Sequence, residues 1–290
     1  MNMTEKTKKK MISAAYLGPS VIGVMVFFVI PFCVIIYYSL VDNPINREFV
    51  FLQNFINILN NQAFLKAAKN TATFSLITVP LAVILSLGLA LLLDEKIPYK
   101  SQFRTFFLSP MMVPVASVVL IWQVLFHYNG AVNGVLANLG IDKIDWLKSE
   151  YSQVVVGLLF LWKNLGYNMI LFMAGIANIS KELVEVARLE TSNPWTIFVH
   201  IKLRYLSPTI LFVTILSLIN SFKVFRETYL MTGDYPYDSL YLLQNFMNNT
   251  FQSLDYQKLS AAAIIMAAVM VLIIGALFIA EERFGKDVEG

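Results

Sequence analysis

Residues 180–208 read SKELVEVARLETSNPWTIFVHIKLRYLSP, a polar stretch set between apolar windows at about 152–178 and 206–230. Ser180 is placed to cap a helix whose first turn carries Glu182, a negative charge at the positive end of the helix dipole. Leu183, Val186, Ala187 and Glu190 fall on one stripe, which describes a short helix with a mostly apolar face. Thr191 and Ser192 interrupt it. Asn193 followed by Pro194 then starts a second helix, because Asn caps and Pro is tolerated at the first helical position. The spacing therefore predicts a helix, a turn and a helix across 179–205. Residue types alone fit an amphipathic surface hairpin with no partner equally well.

Outward from this loop the chain is too greasy for a water-soluble domain. Of its 290 residues, 57% are hydrophobic and 14% charged, and the mean hydropathy is +0.64, so the bilayer is part of its solvent. Six windows reach the ~20 apolar residues that a spanning helix needs: about 12–40, 70–93, 104–126, 152–178, 206–230 and 259–281. The first follows Lys6, Lys8, Lys9 and Lys10, as a signal peptide would, but it is too long for one and lacks a small-residue cleavage site, so it reads as a retained span.

Charge sets the orientation. With the amino terminus inside, the inner segments hold thirteen basic residues (Lys6, Lys8, Lys9, Lys10, Lys96, Lys100, Arg104, Lys181, Arg188, Lys202, Arg204, Arg283 and Lys286). The outer segments hold six: Arg47, Lys66, Lys69, Lys143, Lys148 and Lys258. Lys and Arg resist translocation, so both termini and the 179–205 loop are expected in the cytoplasm. The fold class is then an all-α integral membrane protein of six transmembrane helices, a single domain over 1–290. Between the first two spans, Phe51, Phe55, Ile58 and Leu59 alternate with Gln53, Asn54, Asn57 and Asn60, which predicts an amphipathic helix on the outer membrane surface. Pro19, Pro31, Pro80, Pro110, Pro114 and Pro208 lie in the spans. They suit helices that kink in a protein that opens and closes, and they are equally ordinary in membrane helices.

The loop resembles the EAA loop of binding-protein-dependent ABC importer permeases. That pattern is EAA, two residues, DGA, about eight residues and an I-x-LP close; here Glu185, Ala187, Glu190, Phe198, Ile201, Leu203, Leu206 and Pro208 stand at its spacings. The likeness extends through Trp162, Gly166, Tyr167, the run LFMAGIANISKELVEVA, the run SFKVFRETYLMTGDYP, the opening AYLGPSVIGVMVFFVIP and LQNFINILNNQAFLKAAKNTATFSLITVPLAV. It is similar to the carbohydrate-uptake branch, the first permease of maltose, multiple-sugar and glycerol phosphate importers, with the type I importer fold.

The resemblance implies a permease that works by alternating access in the bacterial cytoplasmic membrane. Its implied partners are a second homologous permease, two copies of a cytoplasmic ATPase and an external sugar-binding protein. No cofactor is expected on this chain, since ATP and Mg belong to the ATPase. The loop would couple to that ATPase through Glu185, Ala187, Glu190, Thr191, Ser192, Ile201 and Leu203. Two positions depart from the family: its glycine is Thr191 and the proline of its LP close is Arg204. A β-branched residue resists positive φ, so either the turn is made differently, with Asn193 left-handed, or coupling on this subunit is altered.

Ionisable residues inside spans are costly, so Lys163, Lys223, Arg226 and Glu227 call for partners. For Arg226 and Glu227 the expectation is an interhelical or external ion pair. A hydroxyl-rich solute needs amides, hydroxyls and aromatic faces, which Asn164, Tyr167, Asn168, Asn220, Ser221, Phe222 and Phe225 supply. The same Asn and Ser residues also suit interhelical hydrogen bonds. The segment TGDYPYDSLYLLQNFMNNTFQSLDYQ, at 232–257, reads as a contact for the binding protein or as an interfacial aromatic belt.

Several classes fall away. The Gly285–Lys286 pair has Ala280 five residues before Gly285, so no phosphate loop powers transport. His127, His200 and the lone Cys33 make no metal cluster or disulfide, and no catalytic set stands out. There is no basic stripe with interleaved aromatics for nucleic acid. Few buried carboxylates and no recognisable inverted repeat count against a proton-driven carrier. Other readings are a permease for glycerol phosphate or another polyol, and a membrane scaffold that carries nothing.

Overall fold

The computed structural model of the chain describes residues 5–43, 45–95, 98–191 and 193–285. Ser192 of the predicted turn, and Lys96 and Lys286 of the inner basic set, lie outside the described residues. Every regular element described is helical, apart from one isolated bridge between Val41 and Phe49. A bilayer offers backbone groups no hydrogen-bond partner, and helices satisfy theirs internally.

In chain order the helices are α1 (Glu5–Val24), α2 (Ile30–Ser39), α3 (Gln53–Leu59), α4 (Gln62–Asp94), α5 (Lys100–Met112), α6 (Val115–Leu125) and α7 (Ala131–Asn138). They continue as α8 (Ser152–Ala177), α9 (Lys181–Glu190), α10 (Pro194–Ile197), α11 (Leu203–Tyr205), α12 (Ser207–Phe222), α13 (Phe225–Thr232), α14 (Leu243–Gln252) and α15 (Tyr256–Gly285). A π-turn, Met25–Val29, joins α1 to α2 just ahead of Pro31, whose missing N–H disturbs the ladder there.

Five helical stretches are long and apolar enough to cross a membrane: Ser13–Ser39, Gln62–Asp94, Ser152–Ala177, Ser207–Thr232 and Tyr256–Arg283. The third predicted window is not one straight helix. It is the pair α5 and α6, bent by 99°, which makes a sixth span if counted together. Pro114 is the physical cause: it drives the residue before it out of the helical region, and Val113 is extended at φ −85°, ψ 134°.

The chain divides into two compact units, Met1–Asn61 with Asn249–Val269, and Gln62–Asn248 with Met270–Gly290. In the first, Asn54 donates to the carbonyls of Ser39 at 3.0 Å and Val41 at 2.8 Å, which ties α3 to the end of α2. The segment is helical over Gln53–Leu59, with Ile58 buried and Phe51, just ahead of α3, and Leu59 exposed. Cys33 is exposed on α2.

The second unit is built on α8. Its upper half packs Val155, Val156, Leu159 and Phe160 against Phe74 and Ala82 of α4 and Val118 and Val119 of α6. Its lower half packs Met169, Phe172 and Ile176 against Ala90 and Leu93 of α4 and Leu206 and Val213 beside and on α12. Lipid is as apolar as these side chains, so close packing and polar contacts hold the helices together. Small residues permit the approach: a Cβ on Gly166 would lie 1.9 Å from the carbonyl oxygen of Phe107, so α8 and α5 meet backbone to backbone. Asn168 donates to Ser217 Oγ at 2.9 Å, and Ser75 and Ser221 share a hydrogen bond of 2.8 Å, which join α12 to α8 and α4.

Beyond these helices two polar clamps shape the connections. Buried Asn133 donates to the carbonyls of Tyr128 (2.9 Å) and Ile144 (2.8 Å) and accepts from Ile144 N and Trp146 Nε1, both at 3.1 Å. The 234–243 segment is held by Asn70, which donates to the carbonyls of Asp238 and Tyr241, by Gln153 donating to Ser239 O at 2.6 Å, and by a Lys66–Asp238 ion pair at 2.6 Å. The Glu150 carboxylate beside Tyr237 raises that phenol above its ordinary pKa.

Candidate functional site

Two breaks in the spanning helices face one cavity. At the first, α5 ends in Met112 and α6 begins at Val115, and Met111, Val113 and Val115 line the space. At the second, α12 ends at Phe222 and α13 begins at Phe225, and Lys223 and Val224 between them line the same space. From α8 come Phe160, Lys163, Asn164 and Tyr167. The cavity is about 440 Å³ in volume, with Leu216, Asn220 and Glu227 completing its wall. Irregular backbone at membrane depth is tolerated where it is buried in protein or lines a cavity, and this site meets that condition twice.

The polar groups are organised in pairs. Lys163 on α8 donates to Glu227 Oε1 on α13, with only 21% and 11% of the two side chains exposed, so each offsets the other's desolvation. Asn220 of α12 donates to Asn164 Oδ1 of α8 at 2.9 Å, and Asn164 Nδ2 donates to Phe160 O at 2.8 Å. This pair bridges two helices while lining the cavity. Lys223 is exposed in the cavity wall and pairs with no described residue.

Of the predicted path residues, the structure brings Asn164, Tyr167 and Asn220 together in this wall. Asn168, Ser221, Phe222 and Phe225 do not line it. Asn168 and Ser221 are buried in the interhelical bonds described above, and Phe225 packs on Tyr229 with the rings tilted by 40° and their centroids 5.4 Å apart. Glu227 finds its partner across the helices in Lys163; Arg226 is exposed and outside the wall. Sequence reasoning flagged Lys163, Lys223 and Glu227 only as costly charges. It did not single out Phe160, Leu216, Val224 or the three residues at the α5–α6 break, where Pro114 was the available signal.

The second candidate surface is the loop between α8 and α12. Ser180 sits at the N-cap of α9 but makes no side-chain capping bond, contrary to expectation. Leu183, Val184 and Ala187 form the inward face, whereas Val186 is 56% exposed and Leu189 88% exposed. The predicted stripe is thus rotated: Val184 replaces Val186, because the helix leans on the Ile176 and Ile179 end of the core rather than on a single heptad-like line. Glu185 and Glu190 are exposed beside Val186 and Leu189. Asn193 caps α10 by accepting from Trp195 N at 3.0 Å, and it is extended at φ −84°, not left-handed. Thr191 is extended as well, at φ −144° and ψ 135°, so its β-branch is accommodated without the family's glycine. Ile201 and Leu203 are half-buried on the return.

Residues 82–289 match the family described as binding-protein-dependent transport system inner membrane component. The chain belongs to that family. It is therefore a multi-pass membrane permease, a transport subunit and not an enzyme, which works with an ATPase and an extracytoplasmic binding protein. This permease is 28% identical over 294 residues to the trehalose/maltose transport system permease protein MalF of Thermococcus litoralis, across 99% of each chain. It is 27% identical over 278 residues to the lactose transport system permease protein LacF of Rhizobium radiobacter, across 92% of this chain and 93% of that one. The permease also superposes on a chain of a bacterial ABC transporter involved in import of the acidic polysaccharide alginate. The TM-score is 0.83 at 21% identity, over 96% of this chain and 98% of that one, a likeness of fold.

Proposed function

We propose that this permease forms half of the translocation path for a carbohydrate, delivered by an external binding protein and driven through alternating access by two copies of a cytoplasmic ATPase. A second, homologous permease supplies the other half. Both termini and the 179–205 loop face the cytoplasm in this reading. The observation that carries it is the cavity: Asn164 and Asn220 offer amide donors and acceptors to hydroxyl groups, and Phe160 and Tyr167 offer aromatic faces. The relatives that import trehalose or maltose and lactose support the same cargo class.

Coupling would run through α9. Glu185 and Glu190 would meet basic groups of the ATPase, Val186 and Leu189 would enter an apolar cleft, and Ala187 would keep the helix close to its own core. Thr191 would lie at the tip, with Ile201 and Leu203 carrying displacement back toward α12. A rigid hairpin transmits a shift of a few ångströms to the helices it joins as bodies.

The test is sugar-stimulated ATP hydrolysis by the reconstituted importer with native chain, Glu185→Ala or Glu185→Lys. Loss of stimulation in assembled complexes supports coupling through this loop. Unchanged hydrolysis and uptake would remove α9 from the drive.

A further inference from the structure

Three charged side chains line the cavity, and their charges do not cancel. Lys163 and Glu227 neutralise one another, while among the described residues Lys223 faces the same space with no partner and no other carboxylate lines it. Lys223 is exposed to this space, so its ammonium presents a surplus positive charge to any solute that passes. A neutral sugar needs the Asn164–Asn220 amides and the aromatic faces and gains little from a surplus cation. A carboxylate or phosphate would give Lys223 a charge-assisted hydrogen bond, and Lys163, already fixed by Glu227, would keep the local potential from turning negative. Lys223 stands at the break between α12 and α13, where its N–H closes α12 on Asn220 O at 3.1 Å and its side chain reaches the cavity.

We infer that the cargo is an acidic carbohydrate, one bearing a carboxylate or phosphate that passes Lys223. This inference rests on the carbohydrate reading above and adds the charge. A purely structural role for Lys223, as a cation at the carboxyl end of α12, predicts a change in stability without any change in selectivity.

The experiment uses cells that carry the complete importer, with cells lacking this chain as background. They are exposed to a mixture of neutral, uronate-bearing and phosphate-bearing mono- to tetrasaccharides, and internalised sugars are identified by mass spectrometry. Acidic members are expected to enter and neutral ones to stay out, with the uronate and phosphate arms naming the anion. Lys223→Gln is expected to slow acidic uptake about tenfold or more, the scale of one hydrogen bond to a charged group. Lys223→Arg keeps uptake, and Lys69→Gln, at an exposed lysine outside the cavity, leaves it unchanged. Rates are read against the amount of assembled complex, and melting temperature is recorded alongside. Entry of neutral sugars, or wild-type acidic uptake by assembled Lys223→Gln complexes, overturns the charge inference and leaves the carbohydrate reading intact. Entry of no sugar above background overturns both.

Discussion

Replacing Gly166 by alanine puts a methyl carbon 1.9 Å from the carbonyl oxygen of Phe107, 2.4 Å from its carbonyl carbon and 3.0 Å from Leu108 N. Ordinary contact begins near 3.4 Å, so α5 must retreat from α8 by about 1.5 Å. The obstructing atoms are backbone and cannot rotate aside as a side chain would. Overpacking costs about 1–3 kcal/mol, and the rigid obstacle places this case at or above about 3 kcal/mol. The expected fall in melting temperature is roughly 5 °C or more, read by fluorescence-detected gel filtration of heated permease in detergent. Gly157→Ala is the control on the same helix, because its Cβ would meet only Thr78 Cγ2 at 3.4 Å. It should be neutral, or gain up to about 1 kcal/mol of helix propensity. Met111 and Val113 travel with α5, so Gly166→Ala should also reshape the cavity and slow uptake. Equal melting of the two variants would refute the backbone contact between α5 and α8.

Other outcomes follow from the same contacts. Glu227→Gln strands Lys163 and should cost about 2–4 kcal/mol, somewhat under the fully buried case because Lys163 is partly exposed; Lys163→Met with Glu227→Gln should recover most of it. A melting-temperature double-mutant cycle that proved additive would deny the pair. Asn133→Ala removes four hydrogen bonds and leaves Trp146 Nε1 and Ile144 N unpaired, for a loss of about 2–4 kcal/mol and faster tryptic cutting at Lys143 and Lys148. Leu189→Asp should leave the permease's melting unchanged, since the side chain is 88% exposed, while co-purification of the ATPase falls. Undiminished co-purification would take Leu189 out of that interface.

The long spans were legible because each is a run of apolar residues with its own internal hydrogen bonds, so α4, α8 and α15 needed no partner to be recognised. The α5–α6 span was legible as apolar but not as bent. Hydropathy is blind to direction, and only the extended backbone at Val113, ahead of Pro114, converts one window into two helices at 99°. In the loop, Asn193 was readable as a cap because capping is a contact two residues away in sequence, Asn193 to Trp195. The face of α9 was not, because Val184 and Val186 differ only in which of them meets the core built by Ile176 and Ile179.

The candidate site divides along the same line. Local chemistry marked Asn164, Asn220, Lys163, Lys223 and Glu227 as unusual inside a membrane, and the loop's spacing marked the family. Amino-acid order by itself therefore determined that this is an all-helical membrane permease, because burial in lipid and helix capping are decided within a few residues of each position. Tertiary structure alone decided that Lys163 meets Glu227, that Asn168 and Ser221 are fastenings and not wall, and that two helix breaks open on one cavity. Those outcomes join residues 49 to 146 positions apart, and only the packing of α4, α8, α12 and α13 brings such distant groups within hydrogen-bonding reach.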